Sequence, residues 1–410
     1  MKFTVRLVAI AFLLTTTLVA TTGCRTVPTA PEAPQAYSNA AIATTALGLQ
    51  LFENLEDADE NVVYSPVSIS AALAMTHAGA RGDTARQILE TLNFEGDGQG
   101  FHRAFGALTR SLSERDSEGL KLRLANSLWI QGGLSYGIDF LEVLEREYSS
   151  EMRQVDFASE PEAAREVINT WVEERTEELI SELLPQGVVT ADTRLVLVNA
   201  LYFKGAWASP FQLESTRPGS FRTPEGTVEV PLMRQQGRFR HQSTAEKDVI
   251  ELPYQDNEFS MVLVVPREGT PSNFLRQATP ESLATLMESL ESGTVNLSMP
   301  RFNVRSPINL SGILAQMGMP MAFDPDQADF APITRDLSLY LSAVVHEATI
   351  TVDESGTEAA AATAAIIGIT SAPTEVTTIE IDRPFVFFLR HQETGAVLFM
   401  GQVVDPNSGR

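Results

Sequence analysis

Few residues in this chain are arranged to do chemistry. Its five histidines are scattered, and its single cysteine has no partner for a disulfide or a metal pair. The sequence holds no HExxH helix for zinc. The glycine-rich run GDGQG at 96–100 lacks the preceding strand and the Lys-Ser/Thr that a phosphate cradle needs, so it reads as a plain loop. A formal charge of −23, with no basic patch to offset it, argues for solubility and against nucleic acid. No metal or cofactor is called for, and the chain does not read as an enzyme. The chemistry it offers is done to it, at Cys24 and in a loop near the C-terminal end.

Lys2 and Arg6 precede an apolar core from Leu7 to Ala20, and Thr21-Thr22-Gly23 lead to Cys24. Residues 1–24 are therefore an export signal, too short for a comfortable membrane span. The Gly-Cys ending resembles the bacterial lipoprotein box, in which the cysteine becomes the lipidated first residue, although Thr21 stands where that box usually has leucine. The alternative is ordinary cleavage near Ala20 or Gly23, leaving a free thiol. Residues 25–37, rich in Pro, Thr and Ala, read as a disordered tether. Arg25 is not the aspartate that usually retains such lipoproteins in the inner membrane. The expected destination is the outer membrane or the medium, with membrane contact only through a lipid on Cys24.

The loop is HEATITVDESGTEAAAATAAIIGITSAP, at 346–373. Ala348, Ile350 and Val352 alternate with Thr349, Thr351 and Asp353, which is a strand pattern. Glu354-Ser355-Gly356 stops that strand. The alanine run that follows is helical by propensity but has no bulky apolar face to hold a helix on a core. By itself it reads as a short exposed helix or a linker. Strand character resumes in IEIDRPF at 379–385.

The other elements must position this loop. Ser38 is placed to cap a helix running to about Glu56. Residues 61–64 form a short strand, and Ser65-Pro66 opens a helix over 67–77 that is apolar nearly all round and hence buried. Helical patterns follow at 83–92, 101–114, 138–148 and 161–184, with an alternating strand at 120–130. The apolar run 195–203 suits a central strand. Short strands lie near 219–243, 248–254 and 258–266, two helices within 272–291, and one strand over 295–304. Residues 385–391 and 396–404 close the chain as a hairpin across Glu393-Thr394-Gly395. Helices dominate the first half and strands the second without regular β-α alternation, so the fold class is α+β.

Five motifs in order carry a resemblance: NVVYSPVSI at 61–69, VNALYFKGAW at 198–207, LSMPRF at 297–302, DRPFVF at 382–387 and FMGQV at 399–403. With the loop between them, they resemble the serpins, serine protease inhibitors whose loop is bait and enters a sheet once it is cut. The resemblance runs from about Ser38 to Pro406. It implies one domain over 38–410, with three β-sheets surrounded by about eight or nine helices and an exposed reactive-centre loop at about 354–379. It also implies no cofactor, a monomer, and a target serine protease as covalent partner.

The resemblance carries over residue by residue. Ser65, Ser68, Asn199 and His346 align with the shutter, a polar cluster beneath the point where the central strands part. Trp207, Arg301 and Glu354 align with the breach, where the loop first enters, and Arg301–Glu354 is expected as a surface-edge ion pair. Glu354, Gly356, Thr357, Ala359, Ala361 and Thr363 belong to the hinge. From Thr357 to Thr363 every second side chain would face a packed interior, and none is large enough to overpack it. Thr357 is expected to be the first to enter. Family geometry counted from Glu354 places the reactive bond at Thr370-Ser371, with Ile369 or Ile367 as alternatives. Thr370 is small and β-branched, which suits elastase-like or subtilisin-like proteases. The loop has no Arg or Lys for a trypsin-like one. Two other readings stay open: trapping of papain-like cysteine proteases, and a non-inhibitory carrier, chaperone or storage protein. Relatives of the last kind usually break the hinge with bulky or charged residues or proline. Here 356–365 holds only small residues and Glu358.

Overall fold

The computed structural model describes residues 33–55, 60–94, 98–112, 115–117, 119–148, 152–255, 257–357 and 376–408. Cys24, Ala359, Ala361, Thr363, Thr370 and Ser371 lie outside them.

Leu195–Ala206 reads LVLVNALYFKGA and is buried along almost its whole length. A strand apolar on both faces is stable only in the middle of a sheet covered on both sides. It sits in a seven-stranded sheet, antiparallel to Leu120–Gln131 on one side and parallel to Leu341–Val352 on the other. Its Leu195, Leu197, Leu201 and Phe203 join the main core, while Val196, Val198 and Ala200 join a smaller one. That smaller core is closed by Ala164, Ile168 and Val172 of the helix Pro161–Arg175. Expected helicity to 184 is not realised: the helix stops at Arg175, and Glu177 and Glu178 take positive φ values of 53° and 65°.

Beneath the main-core face runs the helix Pro66–Ala78. Pro66 sits in its first turn, where no N–H is needed, and the Ser65 hydroxyl oxygen accepts a hydrogen bond from the Ser68 N–H at 3.1 Å. Every residue from Pro66 to Thr76 is buried, as its all-round apolar sequence requires.

The remaining strands form one continuous nine-stranded sheet, where two further sheets were expected. The cause is Gly226–Ser243, an 18-residue strand. Its first part pairs with Arg217–Thr223, its middle with Glu291–Pro300 and its last residues with Lys247–Pro253, so two lobes share one strand. One lobe carries Val376–Glu380, parallel to Glu291–Pro300; the other carries the closing hairpin Phe385–His391 and Val397–Val403. Nine α-helices are present among the described residues.

Boundaries differ from expectation elsewhere too, and the run 98–100 read as loop opens the helix Gly98–Ser111. The first helix is Ala33–Glu53, so Ser38 lies within it and caps nothing, and the end of the expected tether is helical. Pro34 is tolerated there because it falls in the first turn. The single strand expected over 295–304 is two, Glu291–Pro300 and Phe302–Asn309, in different sheets with Arg301 at the corner.

Candidate functional site: a parted pair of strands and a seated hinge

Residues 341–348 pair with 195–201, and beyond that point the two strands separate. Into the gap runs Gly356–Thr357, antiparallel to both neighbours: Thr357 lies opposite Val352 on one side and Gly205 on the other. Thr357 is 1% exposed, and its hydroxyl shares a 2.6 Å hydrogen bond with the buried Tyr254 phenol. Thr357 is therefore already inside the sheet, a correction to its expected place as the first side chain to enter. Gly356 has φ 154°, and a Cβ there would run into the Gly205 carbonyl oxygen. Only glycine fits this position.

Before the hinge the chain is tied down. The Asp353 carboxylate accepts from the Ser355 N–H at 2.8 Å, and the Asp353 N–H donates to the Gly356 carbonyl at 2.9 Å. The Trp207 indole donates to the Asp353 carbonyl at 3.0 Å, its backbone N–H donates to the Ser355 carbonyl at 2.9 Å, and its ring stacks on Tyr254 at 4.6 Å. Arg301 donates from Nε to Glu354 Oε1 at 2.9 Å, and the Thr216 hydroxyl donates to the same oxygen. Burial raises the Glu354 carboxyl, but the hydrogen bonds from Arg301 and Thr216 outweigh it and hold the group below its ordinary range. The pair was expected at the surface edge and is instead partly buried: the Glu354 side chain is 9% exposed against 34% for Arg301. A buried carboxylate with charged donors is costly to strip of its partner, unlike an exposed pair.

Ser65, Ser68, Asn199 and His346 come together where the strands last touch. His346 and Asn199 are register partners across the parallel pair, and His346 Nδ1–H donates to Asn199 Oδ1. His346 Nε2 accepts from the Ser65 N–H at 3.0 Å. Asn199 donates to Asn126 Oδ1 at 2.7 Å, and the Ser68 hydroxyl donates to the same oxygen at 2.8 Å. Each atom has one role, so the ring must be the neutral Nδ1–H tautomer. Burial pushes His346 down to about 3, consistent with an imidazole that never charges at neutral pH. Asn126, Tyr254 and Thr216 were not singled out from the sequence. Asn126 had a signal, a lone amide in an alternating apolar strand, but its register opposite Asn199 is a property of the sheet.

The geometry is thus a sheet latched by exchangeable side-chain hydrogen bonds, opened above the latch, with the start of a long loop seated in the opening. The family described as Serpin (serine protease inhibitor) matches residues 42–406. The chain belongs to the serpin family. It is 36% identical to an uncharacterized serpin-like protein of Thermococcus kodakarensis over 90% of this chain and 86% of that one. It is 37% identical to leukocyte elastase inhibitor A of Mus musculus, covering 89% and 98% of the two chains. Plasminogen activator inhibitor 1 of Neovison vison is 36% identical, over 92% and 96%. Among solved structures, human thyroxine-binding globulin complexed with its hormone matches with TM-score 0.82 and 30% identity, covering 90% and 99%. The thermophilic serpin tengpin in its native state matches with TM-score 0.81 and 27% identity, covering 89% and 94%. Serpins are in general protease inhibitors rather than catalysts, so a protease is the partner class this family implies.

Proposed function

We propose that this serpin is a suicide substrate for serine proteases, of elastase-like or subtilisin-like specificity, trapping its target by loop insertion between Leu195–Ala206 and Leu341–Val352. The observation that carries this is the register of the hinge. Thr357 opposite both Val352 and Gly205, continued residue by residue, brings Ala359 between Ile350 and Phe203 and Ala361 between Ala348 and Leu201. Thr363 then arrives between His346 and Asn199. Insertion must break the His346–Asn199 hydrogen bond, and the residue that breaks it carries a hydroxyl able to serve both partners. All three arriving side chains are small enough for a closed interior.

The chemistry runs on the target's machinery. Its serine oxygen attacks the Thr370 carbonyl carbon, the Thr370–Ser371 peptide bond breaks, and the Ser371 amine takes a proton and leaves. The new chain end is esterified to the protease. A new central strand with about ten hydrogen bonds contributes ~5–15 kcal/mol at ~0.5–1.5 kcal/mol each. That exceeds the ~2.7–4 kcal/mol lost with a single oxyanion-hole donor, so distortion of the dragged protease stalls ester hydrolysis.

The test is thermal. Cleavage at Thr370–Ser371 should raise the melting temperature of wild type sharply, and Thr363→Val should show a smaller rise with an unchanged uncut state. A cut wild-type protein that melts where the intact one does removes insertion as the mechanism. We further propose that Cys24 is lipidated and tethers the inhibitor at the cell envelope, supported by the signal and the segment that follows it. Wild type should then fractionate with membranes and Cys24→Ser should not; release of both in equal measure excludes the anchor.

A further inference from the structure

A second polar cluster lies at the opposite end of the helix Pro66–Ala78 from the shutter. His77, in its last turn, places Nδ1 3.2 Å from Nε2 of His102 on the helix Gly98–Ser111. His102 Nδ1 in turn lies 2.8 Å from the hydroxyl of Tyr148, at the end of the turn Leu144–Tyr148. The cluster is walled by aromatic rings: Phe101 meets His77 edge-on at 4.9 Å, and Phe94 and Phe105 back Phe101. Three elements distant in sequence are therefore joined by one line of nitrogens and a hydroxyl.

The line cannot hold both rings charged, and its aromatic surroundings oppose charging even one. Between His77 Nδ1 and His102 Nε2 there is room for one proton; a second would set two N–H groups facing each other. The charged groups around it offer little help to a cation. Arg146 is repulsive, and Tyr148 is kept protonated by burial. The carboxylate of Glu147 is engaged by Arg146 at 2.9 Å, with Arg110 at 3.8 Å, while Arg110 also donates to the Glu147 carbonyl at 2.7 Å. On the His77 side, Arg81 beyond the helix end pairs with Asp329 at 2.7 Å. Asp83, Arg86 and Glu90 of the helix Gly82–Thr91 pair among themselves. Burial lowers His77 to about 4; burial first, then His77 and Arg146, lower His102 to about 3.

We propose that His77, His102 and Tyr148 form an acid-sensitive latch that docks the helix Gly98–Ser111 and the turn Leu144–Tyr148 onto the end of the helix Pro66–Ala78, and that acidification undocks them. The sign follows from the rings taking up protons on opening: closure is fully favoured above the ordinary histidine range and weakens as pH falls below it. The cluster is separate from the shutter, and the proposal does not depend on inhibitory function.

Hydrogen exchange of the intact protein, corrected for the intrinsic pH dependence of exchange, reads the opening directly. Two histidines that regain an ordinary value of ~6.5 on opening should raise the opening constant about a hundredfold between pH 7.5 and 5.5, and one about tenfold. Amides within Gly98–Ser111 should show about the hundredfold change in wild type and about tenfold in His102→Gln. The double variant His77→Gln, His102→Gln should be flat. A flat wild-type profile, or an undiminished one in the double variant, overturns the latch. Should the variants not fold, ring titration of wild type decides: His77 and His102 must stay neutral through pH 5.5, and titration of either near its ordinary value refutes the proposal.

Discussion

Thr357 shows what a single residue contributes to the hinge. Its hydroxyl is the hydrogen-bond partner of a phenol with no exposure of its own, since Tyr254 is 0% exposed. Replacing the hydroxyl by a methyl of similar size leaves that phenol unpaired, at a cost of ~1–3 kcal/mol. Thr357→Val should lower the unfolding free energy by that amount, read as a lower urea midpoint with an unchanged slope; an unchanged midpoint would mean that Tyr254 is satisfied elsewhere. At this scale the sequence was informative where types are restrictive. Small residues at alternate hinge positions and a histidine inside a strand pattern could be picked out without coordinates. The roles of Asn126 and Tyr254 could not, because they arise from being opposite Asn199 and stacked on Trp207.

Among the elements, the hinge strand Gly356–Thr357 is the shortest and the most demanding. Its seat between two strands requires a positive φ and close approach to the Gly205 carbonyl at Gly356. Gly356→Ala adds a Cβ where backbone already stands, in a conformation alanine avoids, so it should destabilise by more than ~1 kcal/mol. It should also unseat Thr357, seen as faster proteolysis at the hinge than in wild type; wild-type resistance would contradict the seated geometry. Long elements with one periodicity, such as Leu195–Ala206 and Pro66–Ala78, were legible in outline because burial dictates composition along their whole length. Sheet membership was not. Residues 295–304 alternate on odd positions through Met299 and on even ones from Phe302, and that one-residue slip at Pro300-Arg301 marks the corner without saying which sheet the chain joins next. Likewise the 18-residue strand Gly226–Ser243 links lobes that read as separate sheets. Local periodicity records which face is buried, and it does not record which neighbour buries it.

For the molecule as a whole, the account rests on a sheet made ready for one more strand. The two strands flanking the hinge part above the shutter, the first hinge residues are in place, and the register leads on to His346 and Asn199. What the whole molecule should do with this is hold a protease covalently after being cut once. The most direct measurement is the intact mass of the denatured products after mixing with an elastase-like serine protease. The account predicts a single adduct, the protease joined to the chain ending at Thr370, together with a released peptide beginning at Ser371. A chain cut at that bond and recovered beside free, active protease, with no adduct, would contradict it.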